Sequence, residues 1–185
     1  MKSKTIILFI IGAVIVVGIT FYRYQILLEY YTWRLQNSDS KYVEDCENNL
    51  MAIAPHVKNS MAQIYLKESI SMSRCARITI GDALTKADKF YAERVFCNGL
   101  SSQSTQVIAA SIENLAFIKS TVCCDKIYKL SDNEDSDVRF SVVSYISNFN
   151  DPRSLNLLKK MATTDKDPEV KKWATSRLQT LGQIP

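Results

Sequence analysis

The chain has 185 residues, of which 46% are apolar, with 23 lysine and arginine residues against 19 aspartate and glutamate residues. Most of the net charge of +4 lies in the first 34 residues, and the rest of the chain holds 19 basic and 18 acidic side chains. This near-neutral body lacks the clustered basic face that nucleic-acid binding requires, and five glycines and four prolines are too few for a disordered or collagen-like chain.

The first predicted element is a membrane-spanning helix from Thr5 to Tyr22. These 18 uncharged residues lie between Lys4 and Arg23, and a helix of that length spans about 27 Å, close to the hydrocarbon thickness of a bilayer. A cleaved signal peptide is the alternative, because it begins with the same basic residues. The length of the apolar run, the absence of an A-x-A cleavage site and the aromatic residues around Arg23 favour an uncleaved anchor.

Residues 24–37 contain no helix breaker and are predicted to continue the helix beyond the membrane. Their apolar side chains would pack on the body, with contact to lipid headgroups and self-association as alternatives. Lys2 and Lys4 precede the apolar run, so the positive-inside rule favours a cytoplasmic N-terminus and a body on the other side of the membrane.

The next part of the chain predicts four amphipathic helices, at 41–55, 60–73, 77–87 and 88–98. Pro55, Arg74 and Asn98 lie near the expected breaks, and Gly99 is the expected C-cap of the last helix. Two hairpins of this kind would form a cap, which divides the chain into an anchor (1–37), divergent hairpins (38–103) and a repetitive part (104–185).

The C-terminal part repeats itself at an offset of 32 residues. The segments 135–151 and 166–182 are similar, and at this offset Val138 and Arg139 correspond to Val170 and Lys171. Apolar residues recur in both copies at three- and four-residue steps, which indicates one face of a helix. Asp137 and Asp167 are predicted to cap the two helices. The segment between the two copies, 151–165, has its own apolar stripe. A third, weaker copy of the repeat precedes residue 135, and its second helix is predicted at 122–130.

The pattern of an acidic turn with D-x-x-V-R, present at Asp135-Ser136-Asp137-Val138-Arg139 and, with lysine in place of arginine, at Asp167-Pro168-Glu169-Val170-Lys171, resembles the short bacterial repeats of the HEAT family. The resemblance covers residues 104–182. It implies an all-α fold, in which the N-terminal transmembrane helix is followed by an α-solenoid of helical hairpins. It also implies a protein-binding role, with the second helix of each hairpin lining the concave face. Four lysines would form a basic stripe there for an acidic partner: Lys126, Lys129, Lys159 and Lys160.

Five cysteines, unusual in a helical array of this size, allow at most two disulfide bonds: Cys46, Cys75, Cys97, Cys123 and Cys124. They contain no C-x-x-C pattern, which argues against a zinc ribbon or a thioredoxin-like site. Because adjacent helical residues point about 100° apart, one of the pair 123–124 could face the core while its neighbour meets Cys97. The alternative is that several cysteines are small buried hydrophobic residues.

The sequence suggests no catalytic, cofactor or metal site. His56 is the only histidine, and the acidic run 132–137 lacks the central glycine and terminal glutamate of an EF-hand loop. Three functions follow. The first is a membrane-anchored scaffold or assembly factor that binds protein in the bacterial inner membrane, with its body outside the cytoplasm. The second is a lyase-like factor that assists an enzyme through a reactive Cys97 or Cys123, and the third is a structural membrane subunit that acts through its first helix.

Overall fold

The computed structural model describes residues 2–37, 43–69 and 72–183, with the backbone alone for residues 2–9 and 12. Within these ranges the chain is entirely helical, which confirms the predicted fold class. The α-helices are α1 (Lys2–Asn37), α2 (Val43–Leu66), α3 (Arg74–Ala87), α4 (Lys89–Gly99), α5 (Thr105–Phe117), α6 (Cys124–Lys129), α7 (Ser136–Ile146), α8 (Pro152–Thr164) and α9 (Pro168–Thr180). A short 3-10 helix, Leu130–Asp132, follows α6.

The helices after α2 form an array in which each odd-numbered helix packs on the next odd-numbered helix. Helices α3, α5, α7 and α9 contact one another in succession, while α4 lies against α3 and α5, and α8 against α7 and α9. The residues that align at the 32-residue offset are buried at the centre of these contacts: Val138, Val142, Ile146, Val170, Ala174 and Leu178. The predicted apolar stripe is therefore confirmed as the face on which α7 and α9 pack.

The predicted break near Pro55 is found two residues later, at Val57, where two helical segments meet within α2. The backbone is kinked at Val57, where φ is −131° and ψ is 17°. A proline removes one helical hydrogen bond and bends the helix without ending it when both halves are held by packing. Here Ile53 and Met61, on either side of the kink, are both buried in the core. The predicted helix 60–73 ends at Leu66, and residues 70 and 71 lie outside the described part of the chain.

A buried polar cluster joins α2 to α5. The Tyr65 hydroxyl lies 3.1 Å from the Ser111 Oγ and accepts a hydrogen bond of 3.1 Å from the Asn114 Nδ2. Two glycines allow this close approach, since a Cβ at Gly81 would overlap the Asn114 side chain and a Cβ at Gly99 would overlap the Ser111 Oγ. The predicted C-cap role of Gly99 is therefore wrong. Gly99 is the last residue of α4, where it contacts α5 closely. The C-cap is Leu100, whose backbone is in the right-handed helical region.

The second half of α1 packs on the body. Leu28 and Leu35 are buried, and Thr32 lies between them. Polar contacts run along the same face: the Gln25 Nε2 donates to the Ser60 Oγ at 2.9 Å, and Arg34 forms an ion pair of 2.9 Å with Asp45. The predicted packing of residues 24–37 on the body is thus observed.

The first half of α1 projects from the body. One helix among the described residues, Ala13–Asn37, is long and apolar enough to cross a membrane, and almost none of its most apolar stretch is buried. A signal sequence near an N-terminus meets the same criterion. Of the predicted span Thr5–Tyr22, the side chains of residues 5–9 and 12 lie outside the described part of the structure.

Candidate protein-interaction surface

The four predicted partner-binding lysines lie on α6 and α8 and are all exposed: Lys126, Lys129, Lys159 and Lys160. Lys160 forms an ion pair of 3.2 Å with Asp132. In the described ranges no carboxylate lies within ion-pair distance of the other three. The surface therefore offers three cationic groups that a partner could engage without breaking an internal ion pair.

Side-chain contacts hold α6 and α8 together beneath these lysines. The Tyr128 hydroxyl lies 2.6 Å from the Ser154 Oγ. The Arg153 guanidinium lies 3.9 Å from the centre of the Tyr128 ring and forms an ion pair of 2.6 Å with Asp125. A surface held by a hydrogen bond, a cation–π contact and an ion pair is preorganised, which lowers the entropic cost of binding.

The acidic turns supply the caps of the helices that follow them. Asp167 caps α9 by accepting hydrogen bonds from the backbone N–H groups of Glu169 and Val170. In α7 the same role belongs to Asp135, whose carboxylate accepts from the backbone at 137 and 138. The prediction that Asp137 caps α7 is therefore wrong. Asp137 is exposed in the first turn, and the 32-residue offset already places Asp135 opposite Asp167.

Arg139 is the most heavily bonded residue of the repeat pattern. It is buried, and its Nε and Nη2 donate to the Asp165 carboxylate at 3.0–3.2 Å. Its Nη1 donates at 2.9 Å to the backbone carbonyls of Asn133 and Glu134. One side chain thus ties α7 to the turn before it and to the turn before α9. Val138 and Val170 are buried beside it, whereas Lys171 is only half-buried.

The electrostatics of this pair favour ionised Asp165. Burial raises the pKa of a carboxyl group, but hydrogen bonds from Arg139 and from the backbone N–H of Asp167 outweigh it and hold the pKa of Asp165 below its ordinary value. Both charges of the pair are therefore retained at neutral pH, and the arrangement is a structural ion pair that joins neighbouring repeats.

The five cysteines have different surroundings. Cys97 and Cys123 lie at disulfide-bonding distance, with a Cα–Cα separation of 5.9 Å, so that α4 is joined to the turn before α6. This is one of the pairings that the sequence allowed, with Cys124 half-buried against the core. Cys46 is buried, and burial raises the pKa of its thiol. Cys75 is exposed.

We expect the Cys97–Cys123 bond to stabilise the oxidised protein by about 3 kcal/mol, because it closes a loop between residues 26 positions apart. Thermal unfolding of the full-length protein should shift to lower temperature when a reductant is added. The double variant Cys97→Ala/Cys123→Ala should unfold at the reduced protein's temperature and not respond to reductant. Cys75→Ala, at an exposed thiol, should behave as wild type. The same unfolding temperature for oxidised and reduced wild-type protein would contradict the bond.

His56 and the acidic run have structural contacts. The His56 ring stacks on Tyr24 with 4.3 Å between ring centres, which joins α2 to α1. In the acidic run, Asp135 caps α7 and two backbone carbonyls accept from Arg139, as described above. Within the described part of the chain no three His, Cys, Asp or Glu side chains are grouped so that they could hold a metal ion.

Comparison with known proteins identifies the repetitive part. The family model of HEAT repeats matches residues 93–179, from the middle of α4 to the end of α9. No curated protein sequence matches the chain. The match agrees with the stacked helices, the repeated N-caps and the buried stripes at the 32-residue offset. Residues 93–179 therefore match the HEAT repeat family, and the C-terminal half of the chain forms a helical-repeat array.

Proposed function

We propose that this protein is a membrane-anchored scaffold that binds another protein through its HEAT repeats and has no catalytic activity of its own. The observation that carries the proposal is the combination of a HEAT-repeat array with a preorganised, lysine-bearing surface on α6 and α8. Lys126, Lys129 and Lys159 are exposed and free of internal ion pairs in the described structure, so an acidic partner could engage them directly.

The anchor in this proposal is the exposed first half of α1. The helix continues without interruption into the half that packs on α2, so an anchored α1 would hold the body close to the bilayer. A body outside the cytoplasm, in a bacterial inner membrane, is the location that we propose. It is supported by the basic residues before the apolar run and by the Cys97–Cys123 pair, since disulfide bonds persist in oxidising compartments.

Two experiments on the full-length chain in cells test the proposal. In the first, deletion of residues 5–22 should move the protein from the membrane fraction to the soluble fraction. In the second, chemical cross-linking followed by mass spectrometry compares wild type with the variant Lys126→Glu/Lys129→Glu/Lys159→Glu. Partners recovered with wild type should be lost from this variant. Lys172→Glu, at an exposed lysine of α9 that pairs only with Glu169 of its own helix, is the control and should retain them.

Each experiment has an outcome that contradicts the proposal. A wild-type protein found in the soluble fraction would exclude the anchor. An identical set of cross-linked partners for all three forms, or none for any of them, would exclude the lysine surface as a binding site.

A further inference from the structure

Among the described residues outside α1, three large apolar side chains are strongly exposed, and all three lie where one helix of a hairpin turns into the next. Phe90 is 77% exposed at the start of α4, Phe117 is 72% exposed at the end of α5, and Val122 is 72% exposed in the turn between α5 and α6. We call this set, Phe90, Phe117 and Val122, the turn edge. Grouped exposed apolar residues mark interaction sites more often than single ones do.

Bonds between the hairpins hold the turn edge together. The Ser120 Oγ donates to the carboxylate of Glu93, one turn after Phe90. The Cys97–Cys123 pair makes a second connection between α4 and the turn that contains Val122. A third contact fixes this turn from α7, where the Tyr145 hydroxyl donates to the Ser120 carbonyl at 2.6 Å. The apolar residues are therefore presented on a rigid base.

The charged residues beside the turn edge are predominantly free cations. Lys86, Lys89 and Lys119 are exposed, and the described part of the chain offers none of them an ion pair. Two nearby carboxylates are already engaged: Asp88 pairs with Lys58 at 2.7 Å, and Glu93 accepts from Ser120. A third, Asp82, lies one turn before Lys86 on α3 and attracts it without forming an ion pair. The surroundings of the apolar residues thus complement a negatively charged partner.

A hollow beside Val122 could receive an apolar side chain from that partner. Its lining is mixed: Thr121, Cys124, Tyr128, Tyr145 and Phe149 line it together with the charged residues Asp151 and Arg153. Aromatic residues at a preorganised hollow are typical of positions that contribute most of the binding energy at interfaces. The turn edge therefore combines protruding apolar groups with a recess.

Part of the turn edge lies at the other end of the helices from the place where α1 joins the body. At the end of α2, Lys67 lines a hollow with Gln25 and Glu29 of α1. Glu68 then accepts hydrogen bonds from Ser102 and from the backbone of Gln103, in the loop before α5. Helix α5 runs from this loop to Phe117, about 20 Å away at 1.5 Å per residue. Phe117 therefore lies a helix length from that loop, whereas Phe90 lies nearer to α1, because Asp88 pairs with Lys58 of α2 and His56, two residues before Lys58, stacks on Tyr24. The free cations, rather than a distance from α1, therefore select an acidic partner.

We infer that the turn edge binds an acidic amphipathic helix of a partner protein. The apolar face of that helix covers Phe90, Phe117 and Val122. Its carboxylates contact Lys86, Lys89 and Lys119. The inference rests on the proposed scaffold function, and it assigns to that function a second surface, next to the lysines of α6 and α8.

The test uses the full-length protein in detergent and a fluorescent synthetic helix of leucine and glutamate, with leucines at every third or fourth position. Fluorescence anisotropy should show binding that weakens at least about tenfold in Phe90→Ala/Phe117→Ala/Val122→Ala, as expected for central apolar contacts. Binding should weaken similarly in Lys86→Glu/Lys89→Glu/Lys119→Glu. The variant Lys166→Glu/Lys172→Glu, at two exposed lysines outside both proposed surfaces, serves as the control and should bind as wild type does. Unchanged circular dichroism and unfolding temperatures show that the variants are folded.

Four outcomes would overturn the inference: no binding of the glutamate helix, equal binding of a helix with lysine in place of glutamate, unchanged binding by the alanine variant, or displacement of the peptide by anionic vesicles. The proposed function fails separately. It fails if cross-linked partners in cells are unaffected by the α6 and α8 charge reversals, whereas this inference fails if the alanine variant retains partners that those reversals remove.

Discussion

Arg139→Ala should lower the free energy of unfolding by about 3 to 5 kcal/mol, the largest loss that we expect from a single substitution in this protein. The side chains of Arg139 and Asp165 are each 3% exposed, so removal of the guanidinium leaves a carboxylate buried without its partner. Two backbone carbonyls, of Asn133 and Glu134, lose their donor as well. Urea unfolding of the full-length protein at pH 7 measures the effect.

A neighbouring exposed ion pair provides the matched control. Lys160 and Asp132 lie near the same turns, but their side chains are 57% and 75% exposed. Lys160→Ala should therefore cost less than about 1 kcal/mol. The double variant Arg139→Met/Asp165→Leu should recover much of the loss, because it leaves no unpaired buried charge. A loss no larger for Arg139→Ala than for Lys160→Ala would contradict this account.

The Arg139–Asp165 ion pair makes the stability of the folded protein depend on pH. The pKa of Asp165 is lower in the folded protein than in the unfolded chain, where it is about 3.9. Its contribution to stability is therefore present above that value and is lost as the pH falls through the folded pKa. Between pH 5 and pH 2, wild type should lose more stability than Asp165→Asn does, although the variant starts from a lower value.

Gly81→Ala should lower the free energy of unfolding by about 1 to 3 kcal/mol, even though alanine is the better helix former. Gly81 lies in the middle of α3, where the helix preference alone would favour alanine by about 1 kcal/mol. The new Cβ would overlap the Asn114 side chain of α5, so the two helices would have to separate. Thermal unfolding measures the sign and size of the change.

A second substitution separates this steric cause from a general loss of helix stability. Asn114→Ala removes the group with which the Cβ collides, together with the hydrogen bond that its Nδ2 donates to the Tyr65 hydroxyl, a bond that the Cβ of Gly81→Ala already disturbs. The double variant Gly81→Ala/Asn114→Ala should therefore be more stable than Gly81→Ala alone. If Gly81→Ala were neutral or stabilising, the close approach of α3 and α5 would not be as described.

The helical class and the repeat were predictable because each rests on a local regularity. Burial of Val138 and Val170 at equivalent positions follows from three- and four-residue spacing, which short segments of sequence already contain. The cap at Asp135 was missed although the offset identifies it, because Asp135 and Asp137 flank one serine and both satisfy a capping pattern. The choice depends on where the first helical turn begins, which the spacing alone does not determine.

The remaining features depend on contacts between distant segments. Pro55 correctly predicted an interruption in local terms, but the packing of both halves of α2 in the core determines that it takes the form of a kink at Val57. In the sequence Gly99 suggests a C-cap, and only the structure shows that Ser111 of α5 packs against it. Phe90, Phe117 and Val122 are ordinary apolar residues in the sequence. A departure from the apolar stripes of their helices is the signal that could have identified them.

The continuous helix of α1 has a consequence for how a partner would be met. A domain joined to a membrane anchor by a flexible linker can take many positions around its attachment point. This body is instead packed on the anchor helix α1 itself, through Leu28 and Leu35. With the apolar half of α1 in a bilayer, the lysines of α6 and α8 and the turn edge would stay at a fixed distance from the lipid surface. Partners that present their complementary face at that distance would meet them without a conformational search, and those at other distances would not reach them.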